Sequence, residues 1–156
     1  MKQKKYIPYL VSILGTLAIG GLSSIAVMTG LPAYEGLIKP PLTPPAAAFP
    51  VVWSILFVLM GIGAARIWLS GSNKRRAALA LYGIQLTLNA LWSVWFFGFQ
   101  ARFFAFIWLL MMIAAIVLMI KAFSKVDPLD GRIQIPYLLW SLFAAYLNFA
   151  VWYLNR

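Results

Sequence analysis

The sequence predicts an all-α membrane protein, a bundle of five transmembrane helices with the N-terminus inside and the C-terminus outside. Three observations predict it. Of the 156 residues, 63% are hydrophobic and only 10% charged, where a soluble domain carries about a quarter charged residues. The apolar residues fall in five runs, each near the 20 or so residues that cross a hydrocarbon core. The basic residues segregate between alternate connections, as they do in the loops of membrane proteins.

The first run spans about 8–28, behind Lys2, Lys4 and Lys5. It is longer than the apolar stretch of a signal peptide and more spans follow it, so a retained helix is expected. The second run covers 49–69 and stops at Ser70-Gly71-Ser72-Asn73, a turn signal. The third covers 77–98, the fourth 103–120 and the fifth 133–154. Residues 1–156 then form one domain with little chain left outside the bilayer.

Five spans place Lys2, Lys4, Lys5, Arg66, Lys74, Arg75, Arg76, Lys121, Lys125 and Arg132 on one side. Only Lys39, Arg102 and Arg156 remain on the other. That asymmetry sets the N-terminus inside. A four- or six-span model would spoil it. The net charge of +10 is thereby a property of short loops, which offer no groove-sized basic face, and nucleic acid is not an expected partner.

The connection 29–48 is the one long one. It holds Pro32, Pro40, Pro41, Pro44 and Pro45, which a helix interior does not tolerate, so it is expected to be a rigid loop lying over the bundle as a lid. In the first span Ser12, Thr16, Gly20 and Ser24 recur at every fourth residue. Such a ridge lets another helix approach closely, inside the bundle first and in a dimer as the alternative.

The chain has no cysteine and no histidine. Disulfides, thiolate metal sites and imidazole general-base chemistry are excluded, as is the commonest haem ligation, and no metal site is expected. None of the three acids, Glu35, Asp127 and Asp130, lies inside a span, which disfavours ion-coupled transport.

The polar residues inside the spans fall on two helical faces. Gln85, Asn89 and Ser93 share one with Trp92 and Phe96. Tyr137, Ser141, Ala144 and Asn148 share another, beside Trp140. Trp53 and Ser54 open the second span directly after the proline loop. Indoles, phenols and amides without charge would suit a flat, apolar ligand held by stacking and one or two hydrogen bonds. Asn89 and Asn148 could equally be interhelical glue, with the aromatics an interfacial belt.

Three stretches carry a resemblance. Tyr34-Glu35-Gly36-Leu37-Ile38-Lys39-Pro40-Pro41-Leu42-Thr43-Pro44-Pro45, followed by Pro50-Val51-Val52-Trp53, resembles the first loop and second-helix start of the TspO/MBR family, the tryptophan-rich sensory proteins related to the mitochondrial translocator protein or peripheral benzodiazepine receptor. Leu88-Asn89-Ala90-Leu91-Trp92-Ser93-Val94-Trp95-Phe96-Phe97 resembles its third helix. Pro136-Tyr137-Leu138-Leu139-Trp140-Ser141-Leu142-Phe143-Ala144-Ala145-Tyr146-Leu147-Asn148 resembles its fifth.

The resemblance implies a five-helix bundle, commonly a homodimer, with a ligand cavity beneath the first loop. Its ligands would be porphyrins and other tetrapyrroles, isoquinoline-carboxamide or benzodiazepine drugs, and in some members cholesterol. Trp53 and Asn89 would hydrogen-bond the ligand and Trp140 would stack on it. Tyr34 would reach in from the loop, Pro40, Pro41 and Pro44 would shape the lid, and Ala144 would form pocket wall. No cofactor is required; a metal-free porphyrin as ligand fits better than haem. A second reading is light-dependent breakdown of bound porphyrin with Trp53 and Trp140 as electron donors, and a third is transfer of an apolar ligand or sterol. Where the family usually has tryptophans in the loop, this chain has Ala33 and Leu42. The terminal Val151, Tyr153 and Arg156 fit the loose sterol pattern. The compact chain without a transit sequence points to a bacterial plasma membrane.

Overall fold

The structure, a computed structural model, describes residues 2–156, with side chains from Lys4 onward. After a short 3₁₀ turn, Lys2–Lys5, come α1 (Ile7–Glu35), α2 (Ala48–Leu69), α3 (Arg75–Ser93), a π-helical turn (Val94–Gly98), α4 (Arg102–Ser124), α5 (Pro128–Arg132) and α6 (Ile135–Leu154). No strand occurs among the described residues. Five segments are long and apolar enough to cross a membrane: 7–35, 48–69, 75–98, 102–124 and 128–154. The first and last extend beyond the expected bounds and take in Glu35 and Asp130 near their ends, a correction to the expectation that every acid lies outside the spans. The chain is a multi-pass helical membrane protein.

α1 is a correction to the expected boundaries. It runs through Pro32 and ends at Glu35, so the free connection is 36–47 and Tyr34 belongs to a helix rather than to the loop. A proline removes one backbone bond and crowds the carbonyl four residues back. Pro32 sits in the last turn of α1, where only that bond is lost and the chain beyond it has little helix left to bend. Tertiary contact holds the turn. Gly30 is buried, and any side chain there would strike the backbone carbonyl of Phe97 in the π turn. The Tyr34 ring packs on Phe96 and Phe97 at 6.0 and 5.6 Å.

Between lipid tails, helices are held by close packing and interhelical hydrogen bonds rather than by removing apolar surface from water. The small residues serve that end. Gly61 of α2 lies against the Ile13 backbone of α1, and Gly20 of α1 lies under the Phe57 ring. The Thr16 hydroxyl donates to the Ser12 carbonyl at 2.8 Å and pairs with the Tyr82 hydroxyl of α3. The ridge Ser12, Thr16, Gly20 therefore serves packing inside the bundle, while Ser24 faces outward.

α4 is the central helix, packed against α3 on one side and α5 and α6 on the other. Its Leu109, Met112, Ile116, Met119 and Phe123 meet Met60 and Ile67 of α2 in the core. Large apolar residues such as Leu10, Leu14, Leu22, Ile25 and Met28 of α1 stay exposed, as lipid-facing positions require.

The two ends of the bundle are fastened differently. At one end Arg66 of α2 bonds both Asp127 (2.5 Å) and the buried Asp130. Asp127 also caps α5, accepting the Leu129 N–H at 2.9 Å, with Pro128 behind it as the first helical residue. At the other end lies the lid, 36–47. Ile38 is paired with Asn155 at the end of α6, Tyr146 donates to the Pro41 carbonyl at 2.9 Å, and Thr43 closes a turn onto Pro40 at 2.7 Å.

Candidate functional site

The site grows from two helical faces that meet below the lid. On α3, Gln85, Asn89 and Ser93 are buried, because one residue in four faces inward and lipid penalises an amide that faces outward. On α6, Tyr137, Ser141, Ala144 and Asn148 are buried at the same spacing. Both polar stripes point at each other.

They are joined by two hydrogen-bonded chains. The Asn89 amide donates to the Tyr137 hydroxyl at 2.8 Å, and that hydroxyl donates to the Gln85 carbonyl at 2.6 Å. Nearer the lid, the Trp92 indole donates to Asn148 at 3.0 Å, and the Asn148 amide donates to the Arg102 backbone carbonyl at 2.8 Å. The first chain sews α3 to α6; the second adds α4. Asn89 and Asn148 thus act as interhelical fasteners, with their amide N–H groups engaged.

The third wall is α2. Its backbone packs on α1 and α3 but makes no comparable approach to α6. Rings bridge that gap. Trp53 stacks on Phe57 at 5.8 Å and meets Trp92 and Tyr137, each at 6.3 Å. Nearer the lid, Phe49 meets Trp140 edge-on at 5.9 Å, and Trp140 leans on Phe143 at 5.5 Å. Far from the lid the gap is closed by Gln134, whose amide donates to the Leu59 carbonyl at 3.1 Å.

Two donors in this region have no acceptor. The Trp140 indole N–H and the Ser141 hydroxyl are buried without a hydrogen-bond partner. An indole N–H normally finds a partner when buried, so the Trp140 donor marks a place where an acceptor is wanted. With rings on every side and no charge in it, the arrangement can grip a flat aromatic molecule by stacking and one hydrogen bond. It offers no general base, no nucleophile and, among the described residues, no metal-binding cluster.

The predicted residues divide into three groups. Trp53, Asn89, Trp92, Tyr137, Trp140, Ala144 and Asn148 come together as one layer between α2, α3 and α6. Tyr34 stands apart, on α1 against Phe96 and Phe97, with the Lys39 ammonium 5.0 Å above its ring. The lid prolines are spread: Pro40 is buried, Pro44 half-buried and Pro41 exposed. Ser54 points away and bonds the Pro50 carbonyl at 2.7 Å. In the terminal pattern, Val151 is buried beside Phe96 and Ala105, Tyr153 is exposed, and Arg156 lies over the Tyr153 ring at 4.1 Å. Sequence reasoning passed over Phe49, Phe57 and Phe143, which supply ring surface, and the lid anchors Tyr146 and Asn155. For the anchors the one available signal was a polar residue at each position on an otherwise apolar segment.

The TspO/MBR family profile matches residues 9–154. The chain belongs to the TspO/MBR family. Three relatives illustrate its breadth. The tryptophan-rich protein TspO of Chlorobaculum tepidum is 38% identical over 144 residues, covering 89% of this chain and 90% of its own. The translocator protein of Sus scrofa is 38% identical, covering 96% of this chain and 92% of its own. The tryptophan-rich sensory protein of Cereibacter sphaeroides is 37% identical over 123 residues, covering 78% of this chain and 76% of its own. In this TspO/MBR protein Trp53 of α2 and Trp140 of α6 pack on one core, while Ala33, expected in the loop, lies in the last turn of α1 and Leu42 alone stands in the lid.

Proposed function

We propose that this TspO/MBR protein binds a flat tetrapyrrole between α2 and α6, beneath the lid. The observation that carries the reading is the buried Trp140 N–H without an acceptor, beside an interhelical gap that rings rather than backbones fill. A porphyrin inserting there would stack on Trp140 and Trp53, with a peripheral carboxylate accepting the hydrogen bond of the orphaned Trp140 N–H. Trp53 and Phe49 must swing to admit it, and the lid above them is held by few bonds. Drug-like aromatics of the isoquinoline-carboxamide or benzodiazepine class would compete for the same rings. The lid end would face outward, consistent with the charge bias, and bacterial relatives such as that of Chlorobaculum tepidum support a bacterial membrane as its home. A homodimer would seat along the lipid-facing groove of about 460 Å³ on α3, lined by Ala80, Gly83, Ile84, Thr87 and Leu88.

The test is protoporphyrin titration of detergent-purified protein, followed by tryptophan quenching, for the native chain and Trp140→Phe. Saturable binding should weaken by about tenfold, the worth of one hydrogen bond of roughly 1.4 kcal/mol. Equal affinity in the variant would place the porphyrin elsewhere. Repeating the titration under illumination separates binding from porphyrin breakdown, since breakdown must yield a new absorbing product that depends on Trp53 or Trp140.

A further inference from the structure

A second opening lies at the lid end, away from the tryptophan layer. It is a notch of about 420 Å³ between the start of α4 and the end of α6, walled by Gln100, Arg102, Phe103, Phe104, Trp152 and Asn155.

Its chemistry is set by Arg102. The backbone of this residue is fixed: its N–H donates to the Gln100 carbonyl at 3.0 Å and its carbonyl accepts from Asn148. Its side chain is not paired. The guanidinium Nε is buried without a hydrogen-bond partner, and the ion pairs among the described residues both belong to Arg66, at the opposite end. A guanidinium presents a planar fork of donors suited to phosphate or carboxylate. The start of α4 reinforces it. α4 starts here with no side-chain cap and no acid in its first turn, so its unpaired N–H groups add positive potential. Gln100 is held in the left-handed region at φ 54, a strained conformation for a side-chain-bearing residue, and its exposed amide is a further donor at the rim.

The remaining walls are apolar. Phe103 and Phe104 are about half exposed, and Trp152 packs on Phe103 at 4.6 Å. From Arg102 they run along α4 into the span, so the notch is cationic at its membrane-interface end and aromatic toward the bilayer interior. That polarity matches an amphiphile lying parallel to the helix.

We propose that the notch is a binding site for an anionic phospholipid, its phosphodiester held by Arg102 with help from Gln100, and its acyl chains lying along Phe103 and Phe104. This site is independent of the tetrapyrrole reading. Asn155 gives it a consequence: the same side chain walls the notch and holds the lid at Ile38, so a lipid seated here braces the lid anchor.

The experiment is native mass spectrometry of the full chain released from mixed micelles. These would hold equimolar phosphatidylglycerol and phosphatidylcholine of identical acyl chains. The native chain should retain one phosphatidylglycerol in preference. Arg102→Gln should reduce that preference at least tenfold, Arg102→Lys should keep part of it, and Arg76→Gln, exposed at the far end, should leave it intact. An unchanged preference in Arg102→Gln overturns the site, as does an equal loss in Arg76→Gln, which would mean bulk charge alone. Displacement of the lipid by millimolar inorganic phosphate would overturn the phospholipid assignment in favour of a soluble anion. Should Arg102→Gln fail to fold, the lysine variant decides, with full loss there counting against the proposal.

Discussion

Asn155 holds Ile38 by both of its backbone groups: the side-chain oxygen accepts the Ile38 N–H at 2.9 Å, and the amide donates to the Ile38 carbonyl at 2.8 Å. The residue that caps the end of α6 thereby fixes the lid 117 residues earlier. The pair is exposed, so each bond contributes modestly, about 1 kcal/mol or less. Together with the Tyr146 bond to Pro41 they are the side-chain ties between α6 and the lid.

Asn155→Ala should therefore free the lid without unfolding the bundle. Amide hydrogen exchange at 36–42 is expected to rise by roughly tenfold, as loss of about 1.4 kcal/mol of local stability predicts, while exchange in α4 stays unchanged. Porphyrin release should accelerate in parallel. Lid exchange equal to that of the native chain would mean that packing of the buried Pro40, rather than Asn155, keeps the lid closed.

Much of this architecture was legible in the sequence because lipid imposes a simple rule. Spans must be long and apolar, and polar residues within them must face inward. Hence the five spans, the stripe Gln85-Asn89-Ser93 and the stripe Tyr137-Ser141-Asn148 could be read directly. Proline misled at Pro32, because its penalty depends on position within the helix and on what presses the turn into place; the Gly30 approach to Phe97 is a tertiary fact. The π turn at 94–98 left no trace in its composition. Nor could Trp92 and Asn148 be paired in advance, since helical spacing gives a face but not the partner across it. α5 was missed although Asp127-Pro128 is a capping pair, because five residues are too few for a periodic pattern.

The Tyr137 hydroxyl both accepts from Asn89 and donates to Gln85. Tyr137→Phe strands two buried amides in a low-dielectric interior. Interhelical bonds within membranes average about 0.6 kcal/mol and reach about 1.7, so the variant should lose roughly 1–3 kcal/mol of stability. Thermal unfolding in detergent reads this. A loss beyond one hydrogen bond supports a cooperative fastener, and a neutral result would show that Gln85 and Asn89 re-pair with each other. Asn89→Ala, compared in the same assay, separates roles: porphyrin affinity falling further than stability would mark Asn89 as a ligand contact as well.

Arg66 neutralises two carboxylates of unequal setting. The Leu129 N–H and then Arg66 hold Asp127 below the ordinary carboxylate range, whereas Asp130 is buried against the same guanidinium. Arg66→Ala leaves Asp130 buried without its counter-charge. Breaking a buried pair costs about 3–5 kcal/mol, and partial exposure of Arg66 reduces this to about 2. The pH dependence has a definite sign. Near neutral pH both carboxylates are charged, so the penalty of the variant should be full there. It should shrink on acidification as they take up protons and no longer need the guanidinium. The Asp127 part persists longest, because its depressed folded pKa keeps it charged below the ordinary carboxylate range. Melting midpoints near pH 7.5 and pH 4.5 check this: a variant deficit that grows on acidification would mean that neither ion pair carries the loss.

Gly30 is where α1 meets the π turn, and its missing side chain is what lets the helix lie against the Phe97 carbonyl. A methyl group there cannot be absorbed by a rotamer change, because the obstacle is backbone. Gly30→Ala should force α1 and the π turn apart, costing about 1–3 kcal/mol as overpacking does, despite alanine's better helix propensity of about 1 kcal/mol. The displacement acts on Tyr34, one turn further along, whose ring rests on Phe96 and Phe97. Hydrogen exchange should therefore rise in 30–35 and in 94–101 together, with the Arg66 end unaffected. At the exposed Gly21, where nothing lies within 4 Å of an added side chain, the same substitution should be neutral or stabilising. If both variants melt alike, the end of α1 is not seated on the π turn and the lid is hung from α6 alone.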